Sequence, residues 1–115
     1  MAEISITKRQ HDAVITVTGT GAVTVTLNDL RTADQVARGD TVTKSEITAA
    51  GWGCGASTGT VVKNSKVVVA APGSGQLMFN RDFGTSLGIE GGSNYVIDAA
   101  GGTIVLRVSK NVVLA

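Results

Sequence analysis

Cysteine, proline and histidine each occur once in the 115 residues, and the chain has only four aromatic rings. A single thiol, Cys54, excludes an intrachain disulfide. One histidine, His11, and one cysteine cannot supply a zinc ligand set, so no metal site is expected. Nucleophilic catalysis by Cys54 needs a base or a positive environment to form thiolate, and His11 is the only imidazole available. His11 therefore reads as a turn residue and Cys54 as a small buried thiol. Rings are too scarce to line a sugar cleft or to stack a single strand of nucleic acid. Charge of one sign is also missing. Ten Lys and Arg stand against nine Asp and Glu, for a net +1, and they are scattered. That excludes a basic stripe for nucleic acid or an anionic membrane surface. The longest apolar run, Val67 to Pro72, is far too short to span a bilayer. Gly73-Ser74-Gly75 lacks the third glycine and the following helix of a dinucleotide loop, and there is no P-loop lysine. No cofactor is expected. The start, Met1-Ala2-Glu3-Ile4-Ser5, lacks the basic region and apolar stretch of a signal peptide, so synthesis in a reducing cytoplasm is the expectation.

Val, Ile, Ala and Thr dominate instead, with 15 glycines. β-branched residues fit a pleated, half-buried surface, and that much glycine supplies turns and works against long helices. Ile4 to Lys8 reads as the first strand. Ala13 to Thr18 and Ala22 to Leu27 read as two arms of a hairpin around Gly19-Thr20-Gly21. In the second arm Val23, Val25 and Leu27 fall on one face, and Thr24 and Thr26 on the other. Residues 28–51 carry charges and little alternation, so an excursion with one or two helical turns is expected. Asn28 is a candidate cap and Gly39 a stop for the first turn. Thr43-Lys44-Ser45-Glu46 has capping-box spacing for the second.

A Val-rich hairpin is expected around Asn64-Ser65, then a turn at Pro72–Gly75 and a short strand from Gln76 to Phe79. A loop over 84–92 precedes a last hairpin, Tyr95 to Ala99 with Thr103 to Val108. Asn111 to Ala115 could add an edge strand. About eight short strands with turns every ten residues or so predict a single all-β domain, an antiparallel β-sandwich or barrel. Residues 1–9 are a candidate extending arm. A Val and Ala core with few rings buries little area per residue, so part of the working stability is expected from a partner surface. Trp52 either plugs that core or anchors an interface. Arg81 beside Asp82 reads as a surface pair.

The stretch from about Thr43 to Lys110 resembles small proteins among the structural genes of marine tailed bacteriophages. The likeness lies in the order of its elements. A polar segment leads to Trp52, and the hairpin Thr60–Val69 follows. Then come Gly73-Ser74-Gly75-Gln76-Leu77-Met78-Phe79 and Ala99-Ala100-Gly101-Gly102-Thr103-Ile104-Val105-Leu106. The resemblance implies a capsid decoration, or cement, protein on the outer surface of the virion shell. Its implied partner is the major capsid protein, with a homo-oligomer such as a trimer compatible. It implies no catalytic residue. Such a protein can add strands to exposed sheet edges and bury apolar patches on its neighbours. The expected contacts are Ile4, Ile6, Lys8 and Arg9 in the N-terminal segment, Trp52, and Val112 and Leu114 near the C-terminal end. A tail or head-fibre subunit, a non-catalytic immunoglobulin-like or sugar-binding module, and a small Cys54 hydrolase are the competing readings.

Overall fold

The computed structural model describes residues 2–63, 66–78 and 94–114. It is an antiparallel β-fold. The strands are β1 (Glu3–Lys8), β2 (Asp12–Thr18), β3 (Ala22–Val25), β4 (Thr41–Lys63), β5 (Lys66–Met78), β6 (Tyr95–Asp98) and β7 (Thr103–Val113). A 3-10 turn, η1 (Leu27–Leu30), and a short helix, α1 (Ala33–Arg38), sit between β3 and β4. The strand order is β1-β2-β7-β4-β6-β3, with β5 along β4, and the sheet rolls into a nearly closed barrel.

The 23-residue β4 organises the fold. Its first part, Thr41 to Gly53, pairs with β7, and its last part, Thr60 to Lys63, pairs with β6. Between them the ladder to β5 is interrupted at Gly53/Gly55 and again at Gly55/Thr58. Bulges of this kind bend a strand and let it pass from one part of a sheet to another. β4 thus serves as two strands, so the seven described stretches of chain make eight strand segments, although not the eight short strands expected: 41–53 was expected as an excursion, and Gln76 to Met78 continues β5.

The inner face follows the period-2 pattern. Ile15 and Val17 of β2, Ile104, Leu106 and Val108 of β7, and Ile47 and Ala50 of β4 are buried. From the other part of the barrel come Val25, Val61, Val69, Ala71, Tyr95 and Ile97. The two sets meet at the bend, where a Cβ on Gly59 would lie 2.7 Å from Ile104 Cδ1 and 3.0 Å from Cys54 Sγ. Val25 and Leu27 are buried while Thr24 and Thr26 are exposed, as the alternation requires.

Local patterns and pairings differ in several places. The arms flanking Gly19-Thr20-Gly21 do not form a hairpin: β2 lies between β1 and β7, and β3 pairs with β6. Gly19 and Gly21 take positive φ. The turn hooks onto the β6–β7 connection instead, with Gly19 N donating to Gly102 O and Gly101 N donating to Gly19 O. β6 and β7 likewise flank a corner and pair with other strands. The excursion ends at Asp40. Thr43-Lys44-Ser45-Glu46 lies within β4, because β7 is long enough to pair with it as far as Val113.

The first helical turn is capped by Thr26, not Asn28, whose Oδ1 accepts from Val42 N instead. Thr32 and Gln35 form the capping box of α1, and Gly39 closes it at φ 80°. Pro72–Gly75 is not a turn between strands but part of β5 opposite the bulged segment of β4. The tail strand is the continuation of β7, not a separate edge. Within the expected arm, Glu3–Lys8 is an edge strand of the chain's own sheet, pairing along β2 from Glu3↔Thr18 to Lys8↔Ala13. Asn64-Ser65, Phe79, the Arg81–Asp82 pair and the expected loop over 84–92 lie outside the described residues.

Candidate functional site

The seven contact residues expected from sequence separate into two groups. Antiparallel register across the sheet places Ile4, Val17, Ile104, Trp52 and Gly75 in one row. Ile6, Ile15, Leu106 and Ala50 form the next. Ile4 and Ile6 point to the inner face from an edge strand that overhangs the core. Ile6 packs against the core, while Ile4 is 43% exposed.

Trp52 lies at the rim of that face, half-buried and packed on the core. Its Nε1 donates to Pro72 O at 3.1 Å. The indole covers Gly75, where a Cβ would approach to 2.9 Å of its ring. Gly75 is required here by that close approach. Trp52 thus does most of what a core plug does.

Val112 and Leu114 lie at the far end of β7, and Lys8 and Arg9 at the end of β1, where the chain turns into β2. The turn after β1 is closed by Arg9 N donating to Asp12 O. Lys110 N donates to His11 O, which brings the end of β7 against that turn. α1 completes the end: Gln35 Nε2 donates to Gln10 O at 3.0 Å. Gln10, His11, Arg38, Asn111, Val112 and Leu114 line a groove of about 290 Å³, with Gln35 and Lys110 beneath them. Val113 and Leu114 project from this end, and Leu114 is 72% exposed.

Lys110 is the residue that sequence reasoning missed. It follows Ile104, Leu106 and Val108 at the next inward position of β7, where another apolar side chain would continue the pattern. It is buried, and its Nζ donates to Leu30 O and, at 2.9 Å, to Gln35 Oε1. Burial lowers its pKa below the ordinary lysine value; Asp12 opposes that shift and Lys8 adds to it. Its cross-strand neighbour Ser45 is also buried and donates to Ser109 O at 2.7 Å. With that proton committed, the Tyr95 hydroxyl donates to Ser45 Oγ at 2.7 Å. The apolar core therefore ends in a hydrogen-bonded polar layer that η1 and α1 cover. The alternation of β7 carried the signal: a lysine in an otherwise apolar inward row implies acceptors brought from elsewhere in the chain.

Ion pairs at this end are mostly exposed. Arg107 and Arg9 approach Asp12 at 3.4 and 4.0 Å, while Arg38 holds the buried Asp40 at 2.9 Å. Cys54 is buried at the bend and His11 is exposed in the first turn. Gly53 stands opposite Thr103, and His11 is bonded to Lys110. That separates the thiol from the imidazole by roughly 20 Å at the usual strand rise. Among the described residues no three His, Cys, Asp or Glu side chains gather as a metal set. No helix among them is long and apolar enough to cross a membrane. Comparison with family models, with curated proteins and with solved structures finds no match.

Proposed function

We propose that the chain is a non-catalytic structural protein of a bacteriophage virion, a capsid decoration protein that binds the outer surface of the major capsid shell. The observation that carries this reading is the end of the barrel where the Val113 and Leu114 side chains project. Beside Leu114, along the same groove, stand Gln10, His11 and Arg38, all exposed. An apolar centre inside a polar rim is the common anatomy of a protein–protein contact. The groove beside it mixes apolar Val112 and Leu114 with polar Gln10, His11, Arg38 and Asn111, a lining that suits recognition of a partner surface.

The support beneath this end matters as much as the tip. Lys110 and Gln35 fix β7 to α1, and Ser45 ties β4 to β7, so the apolar side chains are presented from paired strand and capped helix. Little conformational entropy is then lost on docking. The resemblance of Thr43 to Lys110 to small virion proteins, in the order of its elements, supports the choice of the major capsid protein as partner.

The test is co-sedimentation of the purified chain with capsid shells of the source phage. Binding at a fixed high copy number is the expected result. Leu114→Asp should weaken it by roughly tenfold or more, the scale of losing one exposed aliphatic anchor at about 1.5–2 kcal/mol. Occupancy at a single vertex would assign the chain to a tail or fibre. Absence from shells and particles alike would end the virion reading.

A further inference from the structure

We infer that a second copy of this chain pairs with β1, edge to edge and antiparallel, to form a continuous sheet across two molecules. The inference concerns the strand edge, not the docking end, and does not depend on a capsid being the partner.

The described residues leave three open edges, and these are not equivalent. Among the described residues β5 pairs only with β4, but it carries Pro72, Gly73 and Gly75 opposite the bulged stretch of β4. Proline and irregular pairing blunt an edge. β3 is four residues long. β1 has six residues in unbroken register with β2, with no proline, glycine or bulge. Among the described residues nothing pairs with its other side. Its charges, Glu3 and Lys8, stand at its two ends, which leaves the middle without the inward charge that natural edges use to repel a second strand.

The sequence of β1 also complements itself. In a two-fold pair whose axis runs through the sheet, opposite residues must share a face, so their numbers must have the same parity. Centring the axis on Ser5 sets Ile4 opposite the second copy's Ile6, and Ile6 opposite its Ile4. Glu3 then faces Thr7 on the outer side, and Ser5 faces Ser5. Shifting the centre to Ile6 instead puts Ile4 against the Lys8 ammonium. The Ser5-centred register alone places both isoleucines of each copy on an isoleucine of the other. It covers the 43% of Ile4 that the single chain leaves exposed. A ribbon of six residues is smaller than a standard stable interface, so the pairing depends on concentration.

Cysteine crosslinking reads the register directly. Cα atoms of directly opposed antiparallel residues lie about 4.5–5.5 Å apart, within disulfide range. Full-length Ser5→Cys should form a species of doubled mass on mild oxidation. Thr7→Cys alone should not, but should crosslink when mixed with Glu3→Cys. The unsubstituted chain, whose Cys54 is buried, is the control. Sedimentation velocity should show a concentration-dependent dimer that Ile4→Lys weakens tenfold or more while far-UV circular dichroism stays unchanged. Equal crosslinking at positions 5 and 7, a monomer at every concentration, or a dimer indifferent to Ile4→Lys would each overturn the inference. None of these outcomes bears on whether the docking end binds a shell.

Discussion

Gly102→Ala is the substitution that tests the bend of the barrel most directly. A Cβ at Gly102 would lie 2.1 Å from Gly53 O and 2.6 Å from Cys54 Cα, both backbone atoms of the β4 corner. Real contacts of a Cβ begin near 3.0 Å, so the two backbones must part by about an ångström. Gly102 cannot move away freely: its carbonyl accepts from Gly19 N at 3.0 Å and its amide donates to Ala99 O at 2.9 Å. Nor can Gly53, which is held opposite Thr103 and Ser74. Overpacking costs about 1–3 kcal/mol even where side chains can yield, and each backbone hydrogen bond given up adds about 1 kcal/mol. The sum is about 3–4 kcal/mol, a large share of the roughly 5–15 kcal/mol that holds a domain of this size. The melting temperature should fall by roughly 10–20 °C.

Gly53→Ala is the matched control. Nothing lies within 4 Å of a Cβ there, and the residue is exposed, so its effect should stay within about 0.5 kcal/mol. Thermal and urea unfolding of the two variants gives the comparison. Equal stability of Gly102→Ala and Gly53→Ala would refute the close crossing of the β6–β7 connection over β4.

Three further substitutions probe the polar layer and the helix. Tyr95→Phe removes the donor to Ser45 Oγ from a fully buried site and should cost about 1–3 kcal/mol in urea unfolding. Thr32→Ala removes the side chain that accepts from Gln35 N at 3.2 Å and should cost about 1 kcal/mol, with faster amide exchange over α1. Lys110 has a depressed pKa in the folded chain, so at alkaline pH the native state releases its proton before the unfolded state does. Its contribution to stability therefore rises with pH between the folded value and the ordinary 10.5, and is lost again as pH falls through that window. Lys110→Met should flatten this rise in the difference between the two stability–pH curves, and parallel curves would contradict it.

The all-β class and the faces of individual strands were legible because they depend on period-2 alternation within a few residues. Val23 and Val25, Tyr95 and Ile97, and Ile104, Leu106 and Val108 all share faces as their spacing requires. Gly39 ended α1 because a left-handed C-cap is a local requirement. Pairing was not legible. Gly19-Thr20-Gly21 has the composition of a hairpin turn, yet it joins strands with different partners, since the hydrogen bonds that decide this come from Gly101 and Gly102, some eighty residues away. Thr43–Glu46 carries a capping box that the long partner β7 overrides. Of the seven expected contact residues, Ile4, Lys8, Arg9 and Leu114 are exposed in the structure, but sequence could not show that Trp52 belongs with Ile4 in one row, since that depends on the register of four strands.

Lys110 explains why the chain interrupts its sheet with η1 and α1 at all. An inward ammonium at the end of an apolar row needs acceptors, and an isolated buried charge costs far more than a neutral polar group. β4 supplies the neighbouring Ser45, but its hydroxyl is engaged with Ser109 O and Tyr95. The acceptors come instead from the last carbonyl of η1, at Leu30, and from Gln35, whose side chain also caps α1 and bonds Gln10 O. One amide side chain thus ties the lysine, the helix and the first turn together. That knot lines the same groove as Val112 and Leu114, so loosening it should disorder the end by which the protein is proposed to dock. Gln35→Ala takes away one acceptor and the helix cap together. Its shell binding should fall even though Gln35 is buried and touches no partner, whereas Thr24→Ala, exposed on β3 away from this end, should leave binding unchanged. Unaltered binding by Gln35→Ala, with α1 shown to be disordered by amide exchange, would mean that the tip does not need its support and that docking occurs elsewhere.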